Sequence, residues 1–203
     1  MGRGIAHVAA LAGYQTWLTD VDESTLQKSL TEVEHELAAA VAREKISEVQ
    51  RSAALSRLEL ATDLDSVVPA WDLVIEAVPE RMDLRQEIFG RISHQVADHS
   101  ILATNTSSLS VSEIASSSRL TERVIGMHFF NPPHKIRLLE NIRADQTSEQ
   151  VVEAVRESGV RLNRELVVVN DSRGRARSRL ATGQGMESNR MIEQGVRVRE
   201  RKA

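Results

Sequence analysis

The chain has no cysteine. That absence excludes disulfides, thiolate catalysis and metal sites built on sulfur. Aromatic residues make up only 3% of it, and none interleave with the arginines of its C-terminal stretch, so the stacking surface of a nucleic-acid reader is missing there. No uninterrupted apolar run approaches the roughly 20 residues of a membrane span. The opening Met1-Gly2-Arg3-Gly4 lacks the basic region and apolar core of a secretory signal. A net charge of −3 gives no general pull toward nucleic acid or membranes. Together these absences leave a soluble, cytoplasmic protein as the expectation.

What is present is ordinary for such a protein: 41% hydrophobic and 27% charged residues over 203 positions, enough for one substantial core and a small second lobe. Ile5, Val8, Ala9 and Ala12 share a helical face, with Gly13 at its C-terminal stop. A strand from Gln15 to Asp20 follows, then a long helical stripe of Leu26, Leu30, Val33, Leu37 and Val41. Ser47 with Gln50 forms a capping-box pattern that starts a new helix. Residues 73–78 and 100–104 are near-continuous apolar runs, as parallel strands covered on both faces require. Between them Leu84, Ile88, Phe89 and Ile92 mark a crossover helix. Residues 124–128, 138–142 and 166–169 read as further strands, and Thr147 with Gln150 as the cap of a helix carrying Val151, Val152 and Val155. Alternating strands and helices predict an α/β fold with a doubly wound parallel sheet.

From Arg161 onward arginines crowd the chain, notably Arg173, Arg175, Arg177 and Arg179. A boundary near Asp171 to Gly174 separates a first domain, 1–172, from a short second piece, 173–203.

A doubly wound nucleotide fold joins its first strand to its first helix through a glycine-rich turn, whose backbone approaches a pyrophosphate at the helix N-terminus. Gly2 and Gly4 open a helix of the right character, and Asp20 ends the next strand where a ribose-binding acid is expected. The first strand and the first two glycines of that fingerprint are absent, so the expected sheet lacks its first strand. An aspartate at this place favours NAD over NADP, because it repels a 2′-phosphate.

Four blocks carry a family resemblance: Met1-Gly-Arg-Gly-Ile-Ala-His7, Asp72-Leu-Val-Ile-Glu-Ala-Val-Pro-Glu80, Ala103-Thr-Asn-Thr-Ser-Ser-Leu109 and Gly126-Met-His-Phe-Phe-Asn-Pro132. With these the chain resembles the 3-hydroxyacyl-CoA dehydrogenases, including their bacterial 3-hydroxybutyryl-CoA branch, through almost all of residues 1–172. The resemblance implies a Rossmann-like NAD-binding domain followed by a helical domain that completes the active site and dimerises. It implies reversible, NAD-dependent oxidation of a (3S)-3-hydroxyacyl-CoA, such as 3-hydroxybutyryl-CoA, to the 3-ketoacyl-CoA in fatty acid metabolism. It assigns His128 as general base, Glu140 as its orienting carboxylate and Ser107 as hydrogen-bond partner of the substrate oxygen. It places Gly2, Asp20, Glu80, Arg85 and Asn105 at the cofactor, and Asn131 and Ser178 with Ser107 at the substrate. No metal is implied. The expected partner is an acyl-CoA, with neither nucleic acid nor membrane, and the family is usually homodimeric through the helical domain.

The residue types suit that chemistry in their own right. Removing an alcohol proton as hydride departs needs a base titrating near neutrality, which histidine supplies. A carboxylate on the other ring nitrogen fixes the tautomer, and a hydroxyl near the developing carbonyl positions the substrate. His134 reads as a loop residue and His7 has no sharp role. Arg43 and Lys45 could meet CoA phosphates, although basic residues at a helix end also suit its dipole.

The chain departs from the family at Asp171-Ser-Arg-Gly-Arg175, where a Pro-Gly-Phe turn is usual, and Ser178 replaces a common asparagine. It is expected to be truncated at both ends, with most of the helical domain absent. Unpaired backbone groups beside a missing central strand cost roughly 1–3 kcal/mol each if buried. The alternative reading is therefore a catalytically impaired fragment that binds only nucleotide or a partner subunit.

Overall fold

The structure, a computed structural model, describes residues 1–171 and 176–194. Its elements run α1 (Gly2–Leu11), β1 (Thr16–Thr19), α2 (Glu23–Ala42), α3 (Glu48–Leu55), β2 (Leu58–Ala61), α4 (Leu64–Val67), β3 (Leu73–Glu76), α5 (Met82–Ser93), β4 (Ile101–Thr104), α6 (Val111–Ala115), β5 (Val124–Phe129), β6 (Leu138–Arg143), α7 (Glu149–Arg161), β7 (Glu165–Asn170) and α8 (Ala176–Glu193). The boundary expected near 171–174 falls mostly on residues outside this description. Among the described residues no helix is long and apolar enough to cross a membrane.

Local chemistry sets most of these ends. Gly13 leaves α1 with φ +95°, a conformation that side-chain-bearing residues rarely adopt. The Asp22 carboxylate accepts from the Ser24 backbone N–H at the start of α2, and Ser47 and Gln50 form the predicted reciprocal cap of α3. The cap expected at Thr147 lies one residue later: Ser148 caps α7. Thr147 instead buries its hydroxyl, donating to the Val124 carbonyl at 2.6 Å and accepting from the Ala144 N–H at 3.0 Å.

The strands form two sheets, β1-β2 and β3-β4-β5-β6-β7. Among the described residues β1 pairs with β2 alone and β3 with β4 alone, so no strand joins the two sheets. Residues of β1 and β3 are half-buried, apart from the buried Glu76, so these strands are less enclosed than the sequence implied. The larger sheet is also not wholly parallel. β3, β4 and β5 run parallel, but β6 pairs with β5 antiparallel and β7 follows β6 in parallel. Residues 130–137 are too short a connection for a parallel crossover, which needs a dozen residues or more.

Both faces of this sheet are covered. Ile5 and Val8 of α1 and Val151, Val152 and Val155 of α7 pack with Ala103, Ile125 and Met127 on one face. Phe89 and Ile92 of α5 and Val111 and Ile114 of α6 pack with Leu102, Val124 and Ile142 on the other. That is the doubly wound arrangement the periodicity predicts, and it aligns the C-terminal ends of β3, β4 and β5.

Candidate active site

Three strand ends and one hairpin build the site. The reversal between β5 and β6 sets His128 directly opposite Glu140 as a cross-strand pair. Adjacent positions across a sheet bring side chains together, and His128 Nδ1 lies 2.9 Å from Glu140 Oε2. Both residues are deeply buried, at 7% and 2% exposure, and Phe130 packs against the His128 ring with centroids 4.3 Å apart. A carboxylate this enclosed is held in place by its partner, so the imidazole has little orientational freedom.

His128 opens onto a cleft of about 490 Å³. Glu80, Arg85, Asn105, Ser107 and Asn131 line the same cleft. Glu140 stands behind His128. Asn105 leaves the end of β4 and ties it to β5, its side-chain oxygen accepting from the Phe129 N–H at 2.8 Å.

A chain of charged groups shapes the cleft wall. Arg85, on α5, donates to Glu76 Oε2 and Thr104 Oγ1 at 2.7 Å each, to the Val78 carbonyl at 2.9 Å and to Glu80 Oε2 at 2.8 Å. Glu80 Oε1 in turn accepts from Thr106 and from the Ser107 and Ser108 N–H groups, the last two at 2.9 Å. Burial alone would raise the Glu80 pKa. The hydrogen bonds from Thr106 and Ser108 and the Arg85 charge outweigh it and bring the group down to about 2. Burial raises Glu76 despite the same arginine. Glu80 and Arg85 therefore have an immediate task within the protein: they lock the Asn105–Ser108 loop beside β3. Sequence reading missed Glu76. Its signal was a lone carboxylate inside an apolar run, with an arginine nine residues on.

The start of α1 fits a dinucleotide. No side chain caps it and its first turn holds no acid, so its leading N–H groups suit an anion. Gly2 sits between Leu18 of β1 and Ala77 beyond β3, each within 3.8 Å of where a Cβ would stand. Asp20 is exposed just past β1, one oxygen accepting from the Asp22 N–H at 3.1 Å. Neither Gly2 nor Asp20 lines the cleft of His128. Ser178 lies on the backbone of α8, and its side chain falls outside the described residues. Arg43 and Lys45 are exposed beyond the end of α2 and do not line the cleft.

A doubly wound sheet, an uncapped glycine-led helix and a histidine–carboxylate pair at strand ends define a dinucleotide-binding domain of the dehydrogenase type. Residues 1–172 match the family described as "3-hydroxyacyl-CoA dehydrogenase, NAD binding domain", and the chain belongs to that family. NAD is accordingly its dinucleotide. The chain is 35% identical to the human mitochondrial hydroxyacyl-coenzyme A dehydrogenase, covering 98% of this chain and 65% of that protein. It is 36% identical to a 3-hydroxybutyryl-CoA dehydrogenase of Bradyrhizobium diazoefficiens, covering 84% and 58%. The crystal structure of (S)-3-hydroxybutyryl-CoA dehydrogenase from Ralstonia eutropha superposes with a TM-score of 0.92 at 33% identity, covering 96% of this chain and 69% of that one. The chain thus spans about two thirds, or less, of the length of these relatives.

Proposed function

We propose that this chain supplies the cofactor-binding and proton-transfer parts of a reversible, NAD-dependent oxidation of (3S)-3-hydroxyacyl-CoA to 3-ketoacyl-CoA. The observation that carries this reading is the buried His128–Glu140 pair opening onto a cleft shared with Asn105 and Ser107. NAD, when bound, would supply the hydride acceptor for C3 of the substrate. The N–H groups at the start of α1 would hold its pyrophosphate, and Asp20 would take the adenosine ribose. Asn105, Glu80 and Arg85, which line the cleft, would flank the nicotinamide.

His128 takes the proton of the substrate hydroxyl at Nε2, since Nδ1 faces Glu140. The imidazolium that forms is stabilised by the Glu140 carboxylate, which also fixes the tautomer before reaction. Ser107 hydrogen-bonds the substrate oxygen as it becomes a carbonyl, and Asn131 borders the acyl group. Ser178 is assigned to the substrate by the family resemblance alone. An acyl-CoA is the proposed partner and the cytoplasm the proposed location.

NADH consumption with acetoacetyl-CoA tests the proposal, alongside NADH binding measured by calorimetry. The expected result is saturable NADH binding and a turnover that His128→Ala removes without weakening that binding. Turnover indifferent to His128→Ala would refute the assigned base, and NADH binding without any turnover would leave a nucleotide-binding role only.

A further inference from the structure

A second histidine–carboxylate group lies outside the cleft. His7 on α1, Glu36 on α2 and His134 in the loop between β5 and β6 present ligand atoms that all lie within 4.8 Å of one another. His7 Nδ1 is 2.9 Å and His134 Nδ1 3.5 Å from the same oxygen, Glu36 Oε2. The two imidazoles stack with centroids 5.6 Å apart and planes 12° from parallel. We propose that His7, Glu36 and His134 form a binding site for a divalent transition-metal ion of the Zn²⁺ class.

The donor set selects that class. Two imidazoles and one carboxylate suit Zn²⁺ and its neighbours, whereas Ca²⁺ and Mg²⁺ call for oxygen ligands. Tetrahedral bonds of about 2.0–2.1 Å separate ligand atoms by roughly 3.4 Å. The His134–Glu36 separation, 3.5 Å, is close to this value, and the His7–Glu36 pair at 2.9 Å needs to open by about half an ångström. Three protein ligands leave a fourth position for water.

The surroundings favour an ordered site. Gly4 permits the approach of α1 to the loop: a Cβ there would lie 2.8 Å from Pro133. Arg3 contacts Glu32 and also reaches the other oxygen of Glu36 at 3.5 Å, so Oε2 remains the oxygen turned to the histidines. A bound ion would tie α1 and α2 to the loop that starts with Phe130 and Asn131, two residues of the cleft wall. The role this geometry supports is positional, a clip on one side of the cleft, distinct from the proton-transfer pair.

Calorimetric titration of ZnCl₂ into the chelator-treated full chain tests the site, with circular dichroism as a check on folding. The expected result is one Zn²⁺ per chain, bound at least about tenfold more weakly in both His7→Gln and His134→Ala, because each removes one of the ligands. His128→Ala should bind Zn²⁺ as the parent does. His134 is half-buried on a loop, so its variant decides the matter if His7→Gln fails to fold. Absence of saturable binding, or binding that His134→Ala leaves unchanged, would overturn the proposal. Loss of binding in His128→Ala alone would place the ion at the other pair and overturn it equally.

Discussion

Two histidine–carboxylate pairs in this molecule share one local geometry, Nδ1 to Oε2 at 2.9 Å. In one, His128 and Glu140 sit opposite each other on adjacent strands and the carboxylate is 2% exposed. In the other, His7 and Glu36 come from different helices, and the Glu36 side chain is 22% exposed and also serves Arg3 and His134. The first pair has the more enclosed carboxylate, and its histidine lines the cleft. The second is a hub with several partners. An identical hydrogen bond therefore says little about role; enclosure and neighbours decide it.

The comparison can be broken most sharply at His128. His128→Ala should lower turnover by about 10²–10⁴-fold, the usual contribution of a positioned base, whereas His7→Gln should leave turnover close to the parent's. Steady-state rates with acetoacetyl-CoA and NADH measure both. An equal loss in the two would mean that enclosure does not separate the roles.

The next largest effect concerns stability at the cleft wall. Arg85 and Glu76 are each 2% exposed at the side chain, so Arg85→Leu leaves a buried carboxylate without its countercharge. A loss of about 3–5 kcal/mol in urea unfolding is expected. Glu36→Gln, by contrast, keeps the side chain's shape and an oxygen that accepts from His7, and should cost less, about 1 kcal/mol.

Acid sensitivity sharpens the picture further. Glu80 is depressed from 4.5 to about 2, so the stability it contributes is complete above the unfolded value and is lost as pH falls through that interval. Glu76 is shifted upward and acts in the opposite sense. Comparing parent and Glu80→Gln unfolding from about pH 5 down to about pH 2 isolates the first contribution. The parent should lose stability over that interval more steeply than the variant. Equal slopes would show that the loop clamp carries no proton linkage.

The smallest expected effect is at a helix end. Ser47→Ala removes one arm of the α3 capping box and should cost about 0.5–2 kcal/mol, with turnover unchanged.

Much of this was legible in the residues. The capping box at Ser47 and the stop at Gly13 depend on contacts within a few positions, and both stand as read. Thr147 failed as a cap because a distant carbonyl, that of Val124, took its hydroxyl. β2, Leu58–Ala61, went unread because its Leu-Glu-Leu-Ala lies outside any near-continuous apolar run of the kind that marked β3 and β4. Glu76 was hidden in an apolar run until α5 brought Arg85 beneath it. His134 looked like a plain loop residue because its two partners lie on helices far back in the chain.

By itself the sequence determined the alternation of strands and helices, the helix ends set by neighbouring residues, and the family, through blocks whose order is specific. Only the tertiary structure decided that β6 turns back on β5, that Glu80 and Arg85 brace a loop, and that His7, Glu36 and His134 meet. The physical reason is range. Capping and periodicity act over a few residues, while register, burial and shared carboxylates arise only when remote segments pack together.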